Sequence, residues 1–194
     1  RQDRKVLREF DDGLVNALFV GRCVPNKKIE DLLLAFSHFQ RGVEPDSRLI
    51  VAGSYVGLER YHRLLRAVER DLGLRNIRFM GPLEQGALNA AYASADLFLC
   101  MSEHEGFCIP LIESMFNDVP VMAYEAAAVP ETLDGAGILF NSKDYGMIAE
   151  MMGRAVNDYT FRGAVIEEQR ARLARYRGMD LEGELRKNLA SVLV

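Results

Sequence analysis

The chain has 194 residues, a formal net charge of −4 and an apolar fraction of 49%, which excludes disordered, collagenous and coiled-coil classes and fits one globular domain. No stretch approaches the roughly 18 apolar residues of a membrane span, and the acidic balance argues against nucleic acid as the main partner, because phosphate neutralisation draws on a clustered basic excess. Three cysteines, Cys23, Cys100 and Cys108, are an odd number without a secretory signal and predict a reducing compartment.

Residues 1–12 are polar and predict a linker or a frayed helix; the chain opens at Arg1 without a targeting pattern, as a piece of a longer protein would. Asp12-Gly13 then punctuates the chain. Leu14 to Val20 is short and continuously apolar, as a buried strand is. Ile29, Leu32, Leu33, Phe36 and Phe39 follow on one helical face, then a second strand at Arg48 to Ala52. Leu58, Tyr61, Leu64, Leu65, Val68 and Leu72 predict another helix, closed by Gly73. His38 and His62 lie within these helices and are expected at the surface. Asn76 to Met80 reads as a third strand, a short helix surrounds Leu88, Ala91 and Tyr92, and Asp96 to Cys100 is a fourth strand. Pro110 suits the first turn of a helix carrying Leu111, Ile112 and Met115. Val119 to Ala123 and Gly137 to Phe140 complete six strands. From Asp144 the pattern is helical, with breaks near Asn157-Asp158 and Gly178, and residues 178–194 predict a terminal helix.

Continuous apolar strands alternating with helices are the pattern of an α/β fold, a doubly wound parallel sheet covered on both faces. Such folds bind ligands outside the carboxyl ends of their strands. The loops that follow Val20, Ala52, Met80, Cys100 and Ala123 are therefore the places for chemistry.

The first of these, Gly21-Arg22-Cys23-Val24-Pro25-Asn26-Lys27-Lys28, sets two cations at a strand end. Arg offers a planar fork and Lys a point charge to a diphosphate, and the next helix adds its positive end. A solvated basic turn is the competing reading. Gly53-Ser54-Tyr55-Val56-Gly57 has the character of a phosphate cradle or of a plain turn. The loop after the fourth strand carries Glu105, and Glu113 follows early in the next helix. Carboxylates there suit sugar or ribose hydroxyls, although paired carboxylates also serve glycoside hydrolysis. Cys100, His104 and Cys108 lack a convincing fourth ligand, so no metal is expected.

Taken in order, these segments resemble one family. Phe19-Val20-Gly21-Arg22 with Pro25-Asn26-Lys27, Ile77 to Gly81, Ala95 to Leu99, Glu105-Gly106-Phe107-Cys108-Ile109-Pro110-Leu111-Ile112-Glu113, Val119-Pro120-Val121 and Val129-Pro130-Glu131 are similar to the C-terminal half of a GT-B glycosyltransferase of family 4, the group 1 type. The likeness covers residues 14–177. It implies a single Rossmann-like sheet of about six strands, residues 13–177, that holds a nucleotide-diphosphate sugar. It also implies retaining, metal-independent transfer without a cofactor, from a UDP-, GDP- or ADP-sugar donor. A separate N-terminal domain, joined through residues 1–12, would shape the acceptor site.

Carried over by position, Arg22 and Lys27 bind the diphosphate, and Glu105 acts with them at the transferred sugar. The amides of Gly106, Phe107 and Cys108 hold that sugar, and Ile109 belongs to the same substrate-binding set. Glu113 takes the ribose hydroxyls. Met80 and Gly81 flank the base, while Gly21 and Gly53 lie beneath the nucleotide. The resemblance implies a cytoplasmic enzyme, including at the cytoplasmic face of a membrane. The alternative function is a noncatalytic nucleotide-sugar-binding regulatory module. Three departures stand out: Cys108 replaces the family's Gly, Asn117-Asp118 replaces Cys-Gly, and Ala127-Ala128 replaces a Gly pair. The alanines fit if those positions need no positive φ.

Overall fold

The structure, a computed structural model, describes residues 2–179. Six parallel strands form one sheet: β1 (Val15–Val20), β2 (Ser47–Ala52), β3 (Ile77–Gly81), β4 (Leu97–Cys100), β5 (Val121–Tyr124) and β6 (Ile138–Phe140). Their order across the sheet is β3-β2-β1-β4-β5-β6. The helices are α1 (Arg4–Phe10), α2 (Ile29–Gly42), α3 (Glu59–Asp71), α4 (Gln85–Ala93), α5 (Ile109–Phe116), α6 (Val129–Leu133), α7 (Tyr145–Asn157) and α8 (Tyr159–Arg177).

The strands alternate between two cores, as side chains of period two must. Ala17 and Phe19 of β1, Leu49 and Val51 of β2, and Leu97 and Leu99 of β4 join Phe36, Phe39, Ile148 and Met152 on one face. Leu18, Ile50 and Phe98 point to the other, among Ala90, Tyr92, Leu111, Met115 and Leu133. Both faces are covered, which is why these strands carry almost no polar residues. Residues 4–10 are helical, and Val6 and Phe10 of α1 are buried in the second core. The expected terminal helix lies outside the described residues beyond Met179.

One surface expectation, that for His62, is corrected on α3. The stripe on α3 is narrower than its spacing suggests, with Leu65 fully buried and Leu64 53% exposed. This helix covers the edge of the sheet beside β3 and β2, so one side of its apolar face has no neighbour to meet. His62 on the same helix is half-buried, not at the surface. Its ring stacks on Tyr55 at 4.1 Å and meets Phe79 edge-on at 5.1 Å. Burial, then the charge of Arg66, pushes its basicity below the ordinary range.

Candidate functional site

β1 and β4 are neighbours in the sheet, yet β2 and β3 separate them in the chain. At such a switch point the loops leaving the two strands diverge and open a crevice at their carboxyl ends. The two loops here are Gly21–Lys28 and Met101–Cys108. They are tied across the crevice: Asn26 Nδ2 donates to the His104 carbonyl at 3.1 Å, and the Glu103 amide donates to the Asn26 carbonyl at 3.0 Å. Between these ties Lys27 Nζ donates to Glu105 Oε1 at 2.5 Å. The side chains are only 19% and 8% exposed, so this pair is poorly screened.

Lys28 serves a different partner. It caps α2 in the left-handed region at φ 51°, and its Nζ lies 3.2 Å from Glu103. Glu103 also accepts from Lys143, which in turn reaches Asp31 at 2.6 Å. The Lys143 hydrogen bond, foremost, holds the Glu103 carboxyl below its usual range. Arg22 is exposed, two residues beyond the strand.

The strand ends beside the crevice are stitched together by glycine backbones. The Gly21 amide donates to the Ala52 carbonyl at 2.9 Å, and the Gly53 amide to the Gly81 carbonyl at 2.8 Å. Gly53 has no freedom to be anything else: an added Cβ would lie 1.8 Å from the Gly21 oxygen. A bulge at Val51/Ala52 pairs Ala52 with Gly81 and leaves Met80 out of register, the usual effect of a bulge beside a functional edge. Gly81 is buried and Met80 half-buried.

On the far side, Thr132 Oγ1 donates to the Phe107 carbonyl at 2.6 Å, and the Ala128 amide reaches the Glu105 carbonyl at 3.4 Å. Gly106, Phe107 and Ile109 are exposed at the mouth. Nothing lies within 4 Å of a Cβ placed on Gly106, so packing does not demand that glycine. Cys108 caps α5 with φ 62°, and Pro110 follows in the first turn.

Left-handed backbone at non-glycine residues is costly for an L-residue, yet it recurs at the departures from the family pattern: φ is 62° at Cys108, 55° at Asp118 and 49° at Ala127. The condition set for the alanine pair is met at Ala128, with φ −81°, and not at Ala127.

Glu113 stands a turn into α5 and accepts from the Tyr92 hydroxyl at 2.7 Å. It lines a groove of 270 Å³ between α4 and α5, with Asn89, Ile112, Phe116 and Asn117. Burial, then this carboxylate, pushes the Tyr92 phenol well above its usual range, so it stays a donor. Among the described residues no hydrogen bond joins Glu113 to Lys27 or Glu105. The structure thus gathers Gly21, Gly53 and Gly81 at the strand ends, with Lys27 close to Gly21, and sets Glu105 and Cys108 beside Lys27; Glu113 is tied to Tyr92.

Asn26, Thr132 and Tyr92 position these groups; the sequence reading assigned Asn26 and Tyr92 no such role and did not single out Thr132. Tyr92 had a usable signal, because a tyrosine on an apolar helix face needs a partner for its hydroxyl. Thr132 had none, being 25 residues from the carbonyl it holds. For metals, Cys100, Glu105 and Cys108 bring ligand atoms within 4.8 Å of one another, and His104 is exposed and outside the cluster. Lys27 already places a cation on that carboxylate, which disfavours a second. The arrangement offers cations at a strand end, exposed amides before a helix and two separated carboxylates: groups for phosphate, amide-bound oxygens and vicinal hydroxyls.

Comparison with known proteins gives the family and the fold. The family described as glycosyl transferases group 1 matches residues 2–176. O-antigen chain mannosyltransferase B of Escherichia coli is 31% identical over 146 residues, which is 75% of this chain and 38% of that protein. A GDP-mannose-dependent alpha-mannosyltransferase of Mycolicibacterium smegmatis is 36% identical over 115 residues, 59% of this chain and 27% of its own. The chain therefore spans less than half the length of these relatives. Among solved structures, Anabaena HepE in complex with UDP-glucose superposes with a TM-score of 0.77 at 22% identity, over 98% of this chain and 54% of that one. At that identity the likeness concerns the fold, which is that of GT-B glycosyltransferases.

Proposed function

The chain belongs to the glycosyl transferases group 1 family, and on that premise we propose that it is the donor-binding half of a retaining, metal-independent glycosyltransferase using a nucleotide-diphosphate sugar, with GDP-mannose the first candidate. The observation that carries this reading is the Lys27–Glu105 pair at 2.5 Å in the β1/β4 crevice. It joins a phosphate-binding cation and a hydroxyl-binding carboxylate where a doubly wound sheet takes its ligand. The mannose preference draws on the names of the two relatives, one a mannosyltransferase and the other dependent on GDP-mannose.

In this reading Arg22 and Lys27 receive the departing diphosphate. Transfer builds negative charge on that group and positive charge at the anomeric carbon, so cations placed at the leaving group lower the barrier more than they strengthen ground-state binding. Glu105 and the amides at Gly106 to Cys108 orient the sugar. Glu113, held by Tyr92, takes the ribose, and Met80 and Gly81 border the base over the Gly21–Gly53 floor. A second domain of the same protein shapes the acceptor site, and the whole works in the cytoplasm or at its membrane face. Among the described residues no helix is long and apolar enough to cross a membrane.

A thermal-shift panel of GDP-mannose, UDP-glucose and ADP-glucose tests the proposal. The preferred donor, at 100 times its dissociation constant, should stabilise the fold by about 2.7 kcal/mol. Arg22→Ala should weaken that donor by about 1.5–3 kcal/mol, the size of a charge-assisted bond, with little change in unliganded stability, whereas Lys28→Ala should matter less. No shift with any of the three donors would defeat the reading.

A further inference from the structure

Cys100 ends β4 and is 1% exposed; Cys108 opens α5 and is 8% exposed. Their sulfurs and a Glu105 carboxylate oxygen all lie within 4.8 Å of one another. Ser102 Oγ sits 3.3 Å from Cys100 Sγ on the other side. Both cysteines are free thiols. The third, Cys23, lies in the opposite core, where burial pushes its thiol up to about 11. The two buried thiols stand at the two ends of the segment that carries Glu105, and Cys108 holds a left-handed φ of 62°. A metal fits poorly, because the Lys27 ammonium is bonded to the only carboxylate of the cluster.

We propose that Cys100 and Cys108 form a reversible disulfide, made by peroxide, that closes the 100–108 loop and switches off the sugar subsite. The sulfurs must approach from within 4.8 Å to about 2.05 Å. That is a movement of the Cys108 end, since Cys100 is set in the sheet.

The chemistry balances within the pair. Cys108 is 8% exposed against 1% for Cys100, so its sulfur is the one peroxide reaches, and it reacts as the thiolate once its proton has passed to water. Its sulfur attacks one peroxide oxygen, the O–O bond breaks, and hydroxide leaves behind a sulfenic acid. Cys100 Sγ then attacks Cys108 Sγ. The S–S bond forms, the S–O bond breaks, and the departing hydroxide takes the Cys100 proton as water. A thiol pair is oxidised by two electrons and the peroxide is reduced by two. A dithiol reductant reverses the step by exchange.

The consequence for ligand rests on the function proposed above. Drawing Cys108 toward β4 moves the amides of Gly106 to Cys108 and the Glu105 carboxylate beside them. Donor affinity should fall on the order of tenfold, the equivalent of one lost charged contact.

The test oxidises the purified chain with stoichiometric hydrogen peroxide, alkylates free thiols after denaturation, and maps the peptides by mass. The expected product is a Cys100–Cys108 crosslinked peptide lacking two hydrogens, lost on treatment with dithiothreitol, with Cys23 alkylated throughout. In Cys100→Ser the reaction should stop at a Cys108 sulfenic acid, trapped by dimedone. Free thiols at both positions after oxidation, a sulfinic acid at Cys108 with Cys100 still alkylated, or a stoichiometric zinc ion in the purified chain would each overturn the proposal. The donor is then titrated into reduced and oxidised protein. A crosslinked chain that binds donor as the reduced one does refutes the switch, whereas a reduced chain that binds no donor refutes the function and leaves the crosslink standing.

Discussion

If Lys27 binds the diphosphate, the ligand must compete with Glu105 for the same ammonium. The competitor is strong: the contact is 2.5 Å, and Glu105 is 8% exposed against 19% for Lys27. A charge-assisted bond of this kind contributes about 1.5–3 kcal/mol; the lower end applies, because Lys27 keeps some solvent. Glu105→Gln keeps the shape and a carbonyl for Lys27 but removes the charge. Free nucleoside diphosphate should then bind the variant more tightly, by up to roughly tenfold. The nucleotide sugar gains the same release of Lys27 but loses the carboxylate that orients its hydroxyls, a loss of similar size. Titration calorimetry with GDP and GDP-mannose reads the two effects separately, and their ratio should move by about one to two powers of ten toward the free nucleotide. Equal weakening of both ligands would refute the reasoning, because Glu105 would then be supporting the phosphate site and not competing with the phosphate.

Other outcomes follow from the same geometry. Gly53→Ala should destabilise the fold by about 3 kcal/mol or more, as backbone at a constrained position must shift, because its Cβ would sit 1.8 Å from the Gly21 oxygen; Gly106→Ala, with nothing within 4 Å, should leave the melting temperature nearly unchanged. His62 titrates below its unfolded value of 6.5 in the fold, so below that pH the unfolded chain binds more protons and stability falls as pH drops; His62→Phe should flatten that part of the denaturation profile, and an unchanged slope would show that the stacked imidazole is not its source.

The layering of the fold was legible because doubly wound sheets need strands that are apolar on both sides, and Leu14 to Val20, Arg48 to Ala52 and Asp96 to Cys100 have that character. Boundaries slipped by a residue or two where a loop bond ends the ladder; Val119 and Pro120 precede β5, for example, and there the Val119 carbonyl accepts from Gln169 at 2.9 Å. The cationic loop and the Glu105 segment were also legible, since strand ends concentrate such residues. What no spacing could supply was the pairing across the crevice. Lys27 and Glu105 are 78 residues apart, and their contact depends on β1 and β4 being neighbours, a property of strand order. The left-handed φ at Ala127 was invisible for the opposite reason: alanine carries no local sign of the conformation that its surroundings impose.

The same strand order explains how one site gathers opposing charges without losing the fold. Lys27 ends a short 3-10 turn, Pro25–Lys27, after β1, and Glu105 lies in the loop after β4. Each loop is anchored by bonds that do not involve the charged groups, through Asn26 to His104 and Glu103, and through Thr132 to Phe107. Exchanging the Lys27 partner from carboxylate to phosphate therefore changes side-chain contacts and leaves both loop frames intact. A neutralised pair also limits the cost of holding a cation in a half-buried crevice. Under the proposed function the diphosphate would meet a lysine already oriented, and the carboxylate released in the exchange would lie beside the sugar that arrives with it.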